Sequence, residues 1–170
     1  MVDSGFRAQQ KLKLQPWFRC GSFYSTGDDN PNDGKHGTFF QVLPTPRIYA
    51  RFPFYNLMNN QEAFTEVVLR PHPKLRVRSG AHFLRLSSKN DLWYSGGGAF
   101  EQSTFGFTGR PSNGSRSLAN VYDLSLDYRL NVHMTLTGYY AGATGRTVIK
   151  KIYPAGGTAQ FAYVEMNWAF

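Results

Sequence analysis

Alternation of apolar and polar side chains, repeated over six short runs, constrains this chain of 170 residues more than any other feature. A period of two separates faces on a strand and mixes them on a helix, so each run reads as a β-strand. Between Lys11 and Tyr24, one parity carries Leu12, Leu14, Pro16, Phe18, Cys20 and Tyr24, and the other carries Lys11, Lys13, Gln15, Trp17, Arg19 and Gly21. From about Gln61 to Arg70 the pattern is weaker, because Phe64 and Val68 fall on the side of Glu62, Glu66 and Arg70. Lys74 to Phe83 sets Leu75, Val77, Ala81 and Phe83 against Arg76, Arg78 and His82. The clearest run is Val121 to Leu130, with Tyr122, Leu124, Leu126, Tyr128 and Leu130 opposing Asp123, Ser125, Asp127 and Arg129. Met134 to Ala141 and Ala162 to Phe170 complete the set.

The connections are of two kinds that alternate along the chain. Arg70-Pro71-His72-Pro73 and Asn131-Val132-His133 are tight reversals, whereas residues 26–59, 87–117 and 144–159 are long, polar and glycine-bearing. Pro71 and Pro73 cannot donate to a ladder, so pairing stops there. Short turns on one rim and long loops on the other are the arrangement of a transmembrane β-barrel wall, with short periplasmic turns and long extracellular loops. The expected fold is therefore all-β: one domain over residues 1–170, part of an antiparallel up-and-down transmembrane barrel with about six strands. A soluble extracytoplasmic β-sandwich that binds acidic polysaccharide also uses period-two strands and is the alternative. The outward parities of Phe18, Tyr24, Phe83, Tyr122, Tyr140, Trp168 and Phe170 near strand ends favour the barrel, where interfacial aromatic girdles are expected.

Composition removes other classes. No stretch of 18 apolar residues exists to make a membrane helix, and a single cysteine, Cys20, excludes an intrachain disulfide framework or a multi-cysteine zinc site. The first ten residues lack the apolar core of a secretory signal. A net charge of +8 could serve nucleic acid, but the basic residues lie on separate strands and carry no nucleic-acid-binding signature, so no such partner is expected. No G-x-S-x-G or H-E-x-x-H motif is present, so no enzyme is expected either. Asp28-Asp29-Asn30-Pro31-Asn32-Asp33-Gly34 offers hard oxygen ligands but fails the spacing of a calcium loop, and turn chemistry explains the cluster. No metal or cofactor is expected.

Several runs carry a resemblance. Residues 25–34 followed by His36-Gly37-Thr38-Phe39-Phe40 and Leu43-Pro44-Thr45 resemble the first long loop in the C-terminal part of alginate export family outer-membrane proteins. Asn90-Asp91-Leu92-Trp93-Tyr94 with Gly96 to Gly98 resembles the next loop. Residues 122–128 with Asn131-Val132-His133 resemble the strand and reversal that follow, and Tyr163 to Phe170 resembles the terminal strand. The resemblance implies location in the outer membrane of a Gram-negative cell, as the C-terminal portion of a larger closed barrel that passes an anionic polysaccharide such as alginate. It also implies the barrel assembly machinery as a partner, reading the aromatic end of the last strand. A generic anion or sugar porin is the neighbouring alternative.

If the apolar parity faces lipid, then Lys11, Lys13, Arg19, Arg76, Arg78 and Arg129 face the lumen. These six are the candidate substrate-binding residues. Guanidinium groups bind carboxylates bidentately, and rings of Arg or Lys select anions while each contact stays weak enough for a polymer to advance. Cross-strand pairing with Glu66, Asp123, Asp127 and Glu165 is the competing role for the same cations. Six strands with two open edges would leave unpaired backbone in lipid, so a working channel is expected to need more strands than this chain supplies.

Overall fold

A computed structural model describes residues 2–7, 14–30, 32–40, 52, 56–95 and 108–170. Within them lies a seven-stranded antiparallel sheet in the order β1 (Val2–Arg7), β2 (Trp17–Tyr24), β3 (Asn60–His72), β4 (Leu75–Leu86), β7 (Ser117–Arg129), β8 (Met134–Gly145) and β9 (Thr158–Trp168). A separate hairpin joins β5 (Leu92–Ser95) to β6 (Thr108–Pro111), and one short helix, α1 (Thr147–Ile152), precedes β9.

The six expected strands are present as β2, β3, β4, β7, β8 and β9, with three corrections. A seventh strand, β1, pairs with β2 from Val2↔Ser22 to Arg7↔Trp17. The strand expected from Lys11 starts at Trp17, and Lys11 and Lys13 lie outside the described residues. The connections expected to be plain loops contain β5, β6 and α1.

The connections sort by rim as the sequence predicts. The β3–β4 and β7–β8 reversals sit at one rim, and the described residues between β2 and β3, between β4 and β7 and between β8 and β9 sit at the other. At the tight rim, the Asn131 side chain accepts from the backbone N–H of both His133 and Met134. Among the described residues, strands β1 and β9 are the sheet edges and no closed barrel is formed. Both edges run from the long-loop rim to the turn rim, so antiparallel closure takes an odd number of further strands.

Burial alternates residue by residue along β3, β7 and β9, separating two faces. The outer face carries Phe18, Phe83, Tyr122, Leu124, Leu126, Tyr128, Tyr140, Val164, Met166 and Trp168, all exposed, with Val164 at 76% and Trp168 at 64%. Apolar side chains of that size avoid water elsewhere in the chain, where Leu86 and Val148 are fully buried. Toward the long-loop rim, the inner face meets the inward-folded connections. Phe52, Trp93 and Val148 pack with Leu84, Leu86, Leu118 and Val121 of the wall into the main hydrophobic core.

Candidate functional site

Register builds the centre of the inner face. Arg19 of β2 lies opposite Glu66 of β3, Glu66 opposite Gly80 of β4, and Gly80 opposite Asp123 of β7. Arg78 sits two residues nearer the turn rim than Gly80 and reaches both acids, with Nη1 at 3.5 Å from Glu66 and Nη2 at 3.8 Å from Asp123. Arg19 Nη1 is 3.9 Å from Glu66. On the other side of Gly80, His82 Nδ1 is 2.5 Å from Glu62 and Nε2 is 3.9 Å from Asp123. Tyr139 of β8 donates its hydroxyl to Asp123 Oδ2 at 3.0 Å. A Cβ at residue 80 would stand 2.8 Å from Asp123 Oδ1 and 2.9 Å from His82 Nε2, so glycine at this position leaves the space that the imidazole and carboxylate share.

With the imidazole protonated, Arg19, Arg78 and His82 balance Glu62, Glu66 and Asp123. The two apolar residues that blurred the β3 alternation belong here as well. Phe64 stacks on His82 at 6.1 Å and lies under the Arg19 guanidinium at 5.2 Å, while Val68 is buried opposite Arg78. Of the six candidate cations, Arg19 and Arg78 are thus engaged with carboxylates of the wall.

Arg76 and Arg129 differ. Both are exposed on the inward parity near the turn rim, Arg76 opposite Asp127 and Arg129 opposite Thr135. Asp127 accepts from Thr137 Oγ1 at 2.8 Å. Arg70 shares that parity on β3 and is exposed at the same rim, as is Lys74 in the reversal. Neither was among the expected site residues, although the position of Arg70 on the parity of Glu62 and Glu66 was readable from the sequence. The inner face therefore combines a charge-balanced centre with a cationic turn rim.

At the other rim, Asp91 ties two long connections together. Its carboxylate accepts the Asp28 N–H at 2.9 Å, the Thr38 hydroxyl at 2.6 Å, the Leu92 N–H at 2.7 Å and the Tyr94 hydroxyl at 3.0 Å. Burial, the largest influence, and the neighbouring Asp91 carboxylate push the Tyr94 phenol up to about 12, against an opposing contact with Thr38. Asn59, fully buried at φ 48°, donates to Ser88 O and Leu92 O and accepts from Ser88 N. A Cβ on Gly27 would fall 2.0 Å from its Oδ1, so only glycine lets this loop pass. The acidic run beside it makes Asx turns, Asp28 to Asn30, Asn30 to Asn32 and Asp33 to Lys35, and no group of three or more metal-ligating side chains occurs among the described residues. Gly96 to Gly98, which share in the resemblance to the second long loop, lie outside those residues. Between cap and wall remains a cavity of about 310 Å³ lined by Phe52, Met58, Leu84, Trp93 and Val121.

Fold and site together define an up-and-down antiparallel β-wall with one apolar face and one ionic face. Residues 1–147 match the alginate export family, and the chain belongs to it. That is a family of transport proteins, not of enzymes. The match ends before β9, so the likeness of Tyr163 to Phe170 to a terminal strand lies beyond it. No curated protein matches the chain, and no solved structure matches it.

Proposed function

We propose that this chain forms part of the wall of an outer-membrane channel that passes an anionic polysaccharide such as alginate. The observation that carries the reading is the outer face. Leu75 to Phe83, Tyr122 to Leu130 and Ala162 to Trp168 place no charged residue on the outward parity, and among the described residues no other layer covers their large apolar side chains. From Tyr122 to Leu130 the run measures about 27 Å at about 3.4 Å per residue, or about 21 Å along the membrane normal at a tilt of about 40°. A membrane barrel needs an apolar band of about 25 Å. A soluble sandwich would bury this face against a second sheet.

The polymer's carboxylates meet the cationic turn rim, Arg76 and Arg129, while Arg19 and Arg78 hold the wall's shape through Glu66 and Asp123. Contacts at an exposed rim are weak and exchangeable, which suits conduction more than capture. The exposed Val164, Met166, Trp168 and Phe170 form the outward stripe that the barrel assembly machinery would read.

The test is selectivity measured by reversal potential in channels reconstituted from outer membranes that contain the full protein. Arg76→Glu with Arg129→Glu is expected to lower the anion-to-cation permeability ratio severalfold and to weaken block by polyuronate fragments. An unchanged ratio removes both residues from the pathway. Recovery of the protein in buffer, without detergent, overturns the membrane reading itself. Equal block by neutral and acidic oligosaccharides would favour a general sugar porin.

A further inference from the structure

The outward positions of β2, β3, β4, β7, β8 and β9 carry one charged residue among them, Arg85, at the long-loop end of β4. All the acids of these strands, Glu62, Glu66, Asp123, Asp127 and Glu165, lie on the opposite parity. Arg85 pairs with Gln61 on one side and Ser117 on the other. One row closer to the apolar band, Phe83 pairs with Ala63 and Asn120, and Asn120 with Thr144. The outer face thus turns from apolar to polar across a single row.

Two more exposed arginines stand at this edge. Arg116 adjoins Ser117 just before the start of β7, and its carbonyl accepts from Leu86 N at 2.8 Å, a register that sets it opposite Leu86, on the rim itself and not on the outward parity. Arg146 follows β8, and its N–H donates to Leu118 O at 2.8 Å. With the Asn120 amide turned so that its nitrogen donates to Ala119 O, Arg146 Nη2 donates to the amide oxygen at 2.8 Å. Asn120 is on the outward parity, so this contact draws the guanidinium to the outer face at the row of Phe83. Asp28 and Asp91 do not neutralise the set, since both are buried in the cap with their own donors.

We propose that Arg85, Arg116 and Arg146 form a binding edge for phosphate-bearing anionic lipid headgroups, where the apolar band meets the polar surface. The inference rests on the membrane reading above. A guanidinium fork matches phosphate oxygens in pairs, and the apolar band directly below accepts the acyl chains of the same molecule. A soluble anion would gain from the arginines but not from the band, which selects the lipid over free phosphate.

The experiment measures co-flotation of the full chain with vesicles of phosphatidylcholine alone, or with a third of the lipid replaced by a diphosphorylated glycolipid. A basic residue near an anionic surface contributes about fivefold in partitioning, so three give about a hundredfold. The expected result is at least tenfold enrichment on the glycolipid vesicles, falling as salt rises and unaffected by 10 mM inorganic phosphate (on the order of the screening that 0.01 M salt gives). The triple variant Arg85→Gln, Arg116→Gln, Arg146→Gln should lose that enrichment and still float with phosphatidylcholine, and Arg85→Gln alone should lower it about fivefold. Enrichment that survives the triple change, is absent from the wild type or is abolished by inorganic phosphate overturns the lipid edge and leaves the membrane reading standing. A wild-type chain that floats with neither vesicle overturns both.

Discussion

The loop cap and the centre of the wall each bury an aspartate, and they satisfy it by opposite means. Asp91 in the cap accepts only neutral donors, two backbone N–H groups and two hydroxyls, gathered from segments more than fifty residues apart. Asp123 in the wall faces Arg78, His82 and the Tyr139 hydroxyl, all from adjoining strands. Neutral donors on a loop can turn to water when the loop lifts. Cations fixed on a paired strand cannot leave without breaking the ladder. The cap is thereby built to open locally, and the wall centre to fail only with the sheet.

Removing one member of a buried charge cluster strands the others, at about 3–5 kcal/mol. Asp123→Ala is accordingly expected to have the largest effect, destabilising the whole sheet by that amount in denaturant unfolding of the detergent-folded protein. Asp91→Ala orphans four donors, each costing at most about 1–3 kcal/mol, and loop relaxation toward solvent recovers part of it. Its signature should be local: faster proteolysis and amide exchange in residues 25–40 and 87–95, with the unfolding midpoint of the strands nearly unmoved. Equal global losses from the two substitutions would break the comparison.

The sequence carried the parity of the wall but not its register. Which residues of β4 and β7 share a face follows from alternation, yet whether Arg78 meets Asp123 or misses it by two residues depends on pairing that no single strand encodes. Phe64 and Val68 weakened the reading of β3 for the same reason, since their partners His82 and Arg78 come from β4. Strand β1 was missed because Val-Asp-Ser-Gly-Phe-Arg is short and Ser4 falls on the parity of Val2 and Phe6; Gly5, on the other parity, sits where a Cβ would press 2.7 Å from Trp17 Nε1. The cap core was beyond reach, because Phe52, Trp93 and Val148 converge on Leu86 only in three dimensions. The exposed rim arginines were the legible part of the site, since an exposed charge needs only a face and no partner.

A subtler difference appears with alkali, and it belongs to the cap alone. Tyr94 ionises at 10 when free and at about 12 in place. A raised pKa means the folded cap prefers the neutral phenol, so the stability it contributes is complete below pH 10 and is lost as pH rises from 10 to about 12. Amide exchange across residues 25–40 should accelerate over that window, while exchange in the central strands should not follow it. Tyr94→Phe should remove the step, at the cost of one hydrogen bond to Asp91.

The smallest effect is expected at Ser125, directly opposite Arg78 and next to the charge cluster but outside its contacts. Its residue is 1% exposed and its hydroxyl has no partner among the described residues. A buried hydroxyl without a partner costs free energy in the folded state, and removing it leaves no donor or acceptor behind. Ser125→Ala should therefore leave stability unchanged or raise it by up to about 1 kcal/mol, in contrast to Asp123→Ala two residues away. A loss of more than about 1 kcal/mol would mean that Ser125 holds a bridging water to Nε or Nη2 of Arg78, neither of which makes a hydrogen bond among the described residues, and would extend the polar centre one row toward the turn rim. Ser125→Val separates those outcomes from packing: the added methyls strain a filled site by about 1–3 kcal/mol whether or not a water is present, so only the alanine result reports on the hydroxyl.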